Sequence, residues 1–163
     1  MSFAIPKPLK TEHDHLHDDL RAALAKGGRT EQAARVVAER LHPHFLAEEE
    51  FAMPPLGLLS TLAEPQGGTV SSEDARTAVA MADRLAAEMP RMLAEHREIV
   101  AALRSLIASA QEEGHGDVVM FAEALMLHAR TEEEVLYPAA ILVGRYLKLT
   151  AQAGSGRVSG LSG

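Results

Sequence analysis

Two histidine-glutamate pairs share one spacing in this chain: Glu48 follows His44 by four residues and Glu132 follows His128 by four, with Pro54 and Pro138 each ten positions after the histidine. Upstream of each pair stands a Glu-His step, Glu12-His13 and Glu95-His96. Imidazole and carboxylate at i and i+4 lie on one helix face, about 6 Å apart along the axis, so they can serve one ion, or the carboxylate can bridge two. The chain has no cysteine. Disulfides, thiolate zinc sites, iron–sulfur clusters and a Cys nucleophile are therefore excluded, and any metal must be held by His and carboxylates.

These residues interrupt apolar stripes. Val37, Leu41, His44, Glu48 and Phe51 advance by +4, +3, +4 and +3, and Phe121, Leu125, His128, Glu132 and Val135 repeat the same steps, the spacing of an inward helix seam. An ionised carboxylate in a bundle core is costly unless it is paired or coordinates a metal. Two of them at matching positions need a shared reason. His13 and His96 lie on the seams of the other two helices, and His17 lies one turn after His13 on the same inward half. Without metal, two such carboxylates would stand close together, and one would keep its proton. His15 and His42 are expected in solvent and His115 in a turn. Glu49, Glu50, Glu133 and Glu134 are expected to form solvated faces, unless a rotated helix puts one in its neighbour's place. Tyr137 reads as packing.

The elements that position these residues read as helices, because Ala, Leu, Glu and Arg dominate and β-branched alternation is scarce. A first helix is expected from after Pro8 to about Lys26, stopped by Gly27-Gly28, and a second from Thr30 as N-cap to about Met53, stopped by Pro54-Pro55. The stretch Pro54 to Ser72 is one long crossover, with leucines enough to pack. Ser71 with Asp74 forms a capping box opening a third helix, bent at Pro90 and ending near Glu113. Gly114-His115-Gly116 turns the chain into a fourth helix ending near Thr150. Two short loops and one long crossover describe an all-α, antiparallel four-helix bundle over residues 1–150, with a disordered Gly/Ser-rich tail over 151–163. The offsets of 84 between the His-x-x-x-Glu copies and 83 between the Glu-His copies make the second helix pair a duplicate of the first.

With 163 residues, 47% apolar, and a net charge of −7, the chain suits one domain and offers no basic surplus for nucleic acid. No apolar stretch is long enough to span a membrane, and residues 1–10 carry two prolines and no apolar leader core. A cytoplasmic location is the default expectation.

Four helices bearing Glu-His, His-x-x-x-Glu, Glu-His and His-x-x-x-Glu in order resemble the hemerythrin-like (HHE cation-binding) domains over about Leu9 to Leu149. The resemblance implies a non-haem di-iron centre in the bundle core, with His13, His44, Glu48, His96, His128 and Glu132 as ligands and the two glutamates as candidate bridges. One departure stands out. Oxygen-carrying hemerythrins place a His-x-x-x-His pair on the third helix, whereas here that pair is His13-x-x-x-His17 on the first and Val100 occupies the matching step on the third. His17 is either a fifth nitrogen ligand, on the other iron, or a residue supporting the ligands from behind.

An imidazole-rich, thiolate-free site with carboxylate bridges suits two iron ions, with manganese or zinc as alternatives. Five nitrogen ligands would leave one iron unsaturated and open to O2, NO or a small anion. Leu16, Leu20, Leu41, Ile99 and Leu125 would keep water away. The function expected is binding of O2 or NO for carriage, storage or sensing. The alternatives are an enzyme acting on peroxide, O2 or NO at the same centre, and a metal-stabilised module for iron handling or protein interaction without gas chemistry.

Overall fold

The computed structural model describes residues 1–66 and 68–156, and its regular elements are all helical. They are α1 (Lys7–Leu24), α2 (Gly28–Ala47), α3 (Leu59–Leu62), α4 (Ser72–Glu113), α5 (Gly116–Thr131) and α6 (Tyr137–Gly156). A π-helical turn, Glu48–Ala52, extends α2 and leads into a 3₁₀ turn, Pro54–Leu58. A second π turn, Glu132–Leu136, joins α5 to α6 in one rod. Four rods result: α1, α2 with its π turn, α4, and α5 with α6. α1 packs on α2 and α5, and α4 packs on α2, α5 and α6, which closes the ring of a four-helix bundle.

The helix starts follow local chemistry, and two come earlier than expected, α1 at Lys7 ahead of Pro8 and α2 at Gly28. Pro8 sits in the first turn of α1, where its missing N–H is no loss. α2 begins at Gly28, two residues before Thr30, because its orphan donors are satisfied by another helix. The Glu113 carboxylate, at the end of α4, accepts the N–H of Arg29 at 2.8 Å, the N–H of Thr30 at 2.9 Å and the Thr30 hydroxyl at 2.6 Å. A Cβ on Gly28 would stand 2.6 Å from the Glu113 Oε1. The capping box at α4 is present: Asp74 N–H donates to Ser71 Oγ at 3.0 Å. Asp74 also accepts the Ser2 N–H at 2.8 Å, so the N-terminus is strapped to α4 and Phe3 is buried. α4 is unbroken through Pro90 and ends at Gly114, in the left-handed region at φ 78°. α6 stays helical to Gly156, past the Ala151 at which a disordered tail was expected; the rest of that tail, 157–163, lies outside the described residues.

The π turns are the local feature that α-helical counting misses. Proline has no N–H to give the ladder, and its ring presses on the carbonyl four residues back. In both copies a proline follows the inward glutamate by six, Pro54 after Glu48 and Pro138 after Glu132, and in both the turn between them widens, with Met53 N–H bonding back five residues to Glu48 at 2.9 Å in the first. The widened turn brings residue i+5 beneath residue i. Tyr137 is therefore buried, while Val135, expected on the seam, is 56% exposed.

Three apolar clusters fill the bundle: the first includes Leu16, Leu41, Ile99 and Leu125, the second Phe51, Leu85, Met92 and Tyr137, and the third Phe3, Leu58, Ala78, Val143 and Leu147. On α2, α4 and α5 the buried His and Glu fall in sequence between members of the first cluster and members of the second, so they form a polar layer across the bundle. No helix among the described residues is long and apolar enough to cross a membrane.

Candidate metal centre

His13 from α1, His44 and Glu48 from α2 and its π turn, His96 from α4, and His128 and Glu132 from α5 and its π turn are all buried in this layer. Their donor atoms sort into two groups. His44 Nε2 lies 3.0 Å from Glu48 Oε1, and His96 Nε2 lies 3.3 Å from Glu132 Oε2 and 3.7 Å from Glu48 Oε1. Opposite them, His128 Nε2 lies 3.0 Å from Glu132 Oε1, and His13 Nε2 lies 3.7 Å from both Glu132 Oε1 and Glu48 Oε2. Each glutamate turns one oxygen to each group, so either carboxylate could serve both.

These atoms are close without bonding to each other. His13 Nε2, His44 Nε2, His128 Nε2, Glu48 Oε2 and Glu132 Oε1 are buried and have no hydrogen-bond partner. Buried polar atoms are rarely left so, and five converging in one layer fit cations held between them. Two groupings satisfy the distances for a metal ion: His44, Glu48, His96 and Glu132, and His13, His128 and Glu132. Neutral imidazole and carboxylate suit a divalent first-row metal.

The other nitrogen of each imidazole is held from behind by its own carboxylate. Nδ1 of His44 meets Glu95 at 2.7 Å, that of His96 meets Glu133 at 2.9 Å, that of His128 meets Glu12 at 3.1 Å and that of His13 meets Glu49 at 3.3 Å. Such partners fix the tautomer and ring orientation and strengthen the ligand. Glu49 and Glu133 are thus not plain solvated faces, as their position suggested. Glu50, paired with Arg84, and Glu134, beside Arg130, are. The signal was present in the duplication: each of these four carboxylates stands next in sequence to an inward His or Glu, in both copies.

His17 does not join the centre. It is half-buried, its ring edge-on to Phe45 at 5.0 Å and to His42 at 6.3 Å between centroids. Phe45 stacks on His13 at 4.1 Å and so contacts both histidines of the pair. Burial, and after it the charge of His13, lowers the His17 pKa and favours a neutral ring. Tyr137, read from the sequence as packing, does join. Its hydroxyl donates to Glu48 Oε1 and lies 3.3 Å from His96 Nε2. Burial and the Glu48 charge push the phenol up, so it stays protonated as a donor. His15 and His42 are exposed, and His115 caps α5 in the turn, as expected.

Electrostatically the layer balances itself. Burial opposes a charge on His96 and His128, but Glu132 outweighs it, with Glu48 adding to it, and the two stand at about 10 and about 9. Burial would raise Glu132, yet His128, His13 and His96 hold it well below the usual carboxylate range. At Glu132 the imidazoles supply a countercharge that the crowding expectation did not count, so that carboxylate is not the one to keep a proton.

No curated protein and no solved structure matches the chain. A family profile does: the hemerythrin HHE cation-binding domain matches residues 5–140, which reach into all four rods and include every residue of the layer. With that match over most of its length, the chain belongs to the hemerythrin HHE cation-binding domain family.

Proposed function

We propose that the layer holds two iron ions and binds O2 or NO there for carriage, storage or sensing. The observation that carries this reading is the pairing of two donor groups through both oxygens of Glu48 and Glu132. His44 and His96, with one oxygen of each glutamate, would hold one ion, and His13 and His128, with the other oxygens, would hold the second, a donor set small enough to leave room for a diatomic ligand or a small anion. Iron, when bound, supplies the electrons that reversible O2 binding needs. The chain's own residues supply the rest: the Nδ1 carboxylates hold the imidazoles in register, and Leu41, Ile99 and Leu125 keep the adjoining core dry. Manganese and zinc fit the same donors but not this ligand chemistry.

Anaerobic reconstitution with ferrous iron, then cycles of O2 exposure and removal followed optically, tests the reading. Two irons per chain and a spectrum that returns through repeated cycles support it. Irreversible oxidation in the first cycle overturns carriage. One observation favours a second reading. The Tyr137 hydroxyl is a buried proton donor at Glu48 Oε1, a device useful to an enzyme that reduces peroxide. Multiple turnovers of peroxide, lost in Tyr137→Phe, would select the enzyme.

A further inference from the structure

A cleft of about 660 Å³ lies between α4 and α5, beside the centre, and His96 is the one member of the ligand set among its lining residues. Arg97 and Arg104 line one wall, and Arg130 lines the other. The spacing of Arg97, Ala101 and Arg104 places all three on one face of α4. The chain carries a net charge of −7, and most of its described basic side chains are spent in ion pairs, among them Lys10, Lys26, Arg29, Arg40, Arg84 and Arg91. Arg97 and Arg104 have no carboxylate partner among the described residues, and Arg130 reaches Glu134 only at 3.8 Å. One carboxylate lines the cleft, that of Glu133, and it is engaged with His96 Nδ1. Between the arginines the surface is apolar, formed by Val100, Met126 and Leu127, the last 66% exposed.

We propose that this cleft binds a small organic anion, a carboxylate on a short apolar body, through Arg97 and Arg104, with Arg130 closing the opposite wall. Guanidinium presents a planar fork of donors that matches the two oxygens of a carboxylate. Leu127 and Val100 lie where the body of such a ligand would cover them. A strongly hydrated inorganic oxyanion would leave that surface bare. The three arginines lie outside the ligand layer, and His96, which also lines the cleft, turns its Nε2 into that layer.

The test is isothermal titration of the full chain with hexanoate and with inorganic phosphate, at low and at physiological salt. Hexanoate is expected to bind saturably at one site per chain. Loss of two charge-assisted contacts in Arg97→Ala/Arg104→Ala should weaken it at least about tenfold. Arg35→Ala, which removes an exposed arginine of α2, should leave binding unchanged. Leu127→Glu, which puts a negative charge on the apolar floor, should weaken it as well, with both arginines intact. Absence of saturable hexanoate binding, binding unaltered in the double variant, or phosphate binding as tight as hexanoate each overturns the proposal. Backbone amide shifts confined to 96–104 and 126–133 support the placement, and shifts elsewhere overturn it.

Discussion

Tyr137 donates its phenolic hydrogen to Oε1 of Glu48 across 89 residues of sequence, and by the duplication its counterpart in the first half is Met53. The two halves of the centre are therefore unequal. Oε1 of Glu48 has a donor in the protein, whereas Oε2 of Glu48 and Oε1 of Glu132 have none. Tyr137→Phe removes the hydroxyl and leaves Oε1 buried without that donor, a cost of about 1–3 kcal/mol in the metal-free protein. Denaturant melts with chelator should show that loss, while elemental analysis should still find two metal ions per chain. Loss of metal together with the hydroxyl would instead mean that the phenol itself is a ligand.

Histidine substitutions should divide by burial. His13→Ala, His44→Ala, His96→Ala and His128→Ala should each remove at least half of the metal. His17→Ala should leave metal content intact, as should His15→Ala and His42→Ala, because the His17 ring faces Phe45 and His42. Metal analysis of purified variants decides it, and a loss in His17→Ala equal to that in His13→Ala would restore a fifth nitrogen ligand.

The outer carboxylates should matter through the imidazoles they hold. Glu95→Ala and Glu133→Ala free the Nδ1 of His44 and His96 and should lower metal affinity by about 10–100-fold. Glu50→Ala and Glu134→Ala, whose partners are surface arginines, should not change it. Competition against a chromophoric chelator gives the four affinities.

Protons and metal should compete. In the metal-free protein His96 and His128 stand at about 10 and about 9, above the usual histidine value, so both are charged at neutral pH. A metal needs them neutral. Loading near neutral pH should expel about two protons, and affinity should rise by up to about 100-fold per pH unit below pH 9. The same raised values stabilise the metal-free fold fully below the unfolded histidine value, and that stability is lost as pH rises through about 9 to 10. Where the metal is bound, chelation should lower the melting temperature, since a ligand at 100 times its Kd adds about 2.7 kcal/mol, and the effect should fade in acid as protons displace the metal. Calorimetry in two buffers of different ionisation enthalpy counts the protons, and none released would overturn the pairing.

Glu113 gives an acid-side prediction of opposite sign. The Thr30 hydroxyl, then the N–H groups of Arg29 and Thr30, hold it down at about 2. Its contribution is therefore present above the ordinary carboxylate range and is lost as pH falls from there toward 2. Glu113→Ala should melt below the wild type at neutral pH, with the difference closing in acid.

The bundle, its duplication and the six inward His and Glu were legible because an α-helix repeats every 3.6 residues, and polar residues on an apolar seam break that repeat visibly. His17 shows the limit of that reading. Its spacing puts it on the inward half of α1, and only packing reveals that Phe45 lies against both His13 and His17. Tyr137 was hidden for a different reason. Counting by 3.6 from Glu132 lands on Val135 and Leu136, whereas the π turn lands on Tyr137. The Nδ1 carboxylates stand in the sequence as neighbours of inward residues, but helical geometry places such neighbours outward, and reaching across to the next helix is a tertiary fact.

The cross-wiring of the two halves has a consequence for how the molecule is held in register. Each donor group takes one histidine from residues before the crossover and one from after it: His44 with His96, and His13 with His128. The outer contacts do the same at two places, where Glu12 reaches His128 and Glu95 reaches His44. A single helical hairpin thus carries only half of either group. Any cation seated there is a clamp between hairpins, and the segment from Pro54 to Ser71 is relieved of aligning them. Its exposed stretch, Ala63 to Gln66, is where insertions and deletions should be tolerated, while a one-residue slip of either hairpin would turn every donor away from its partner at once.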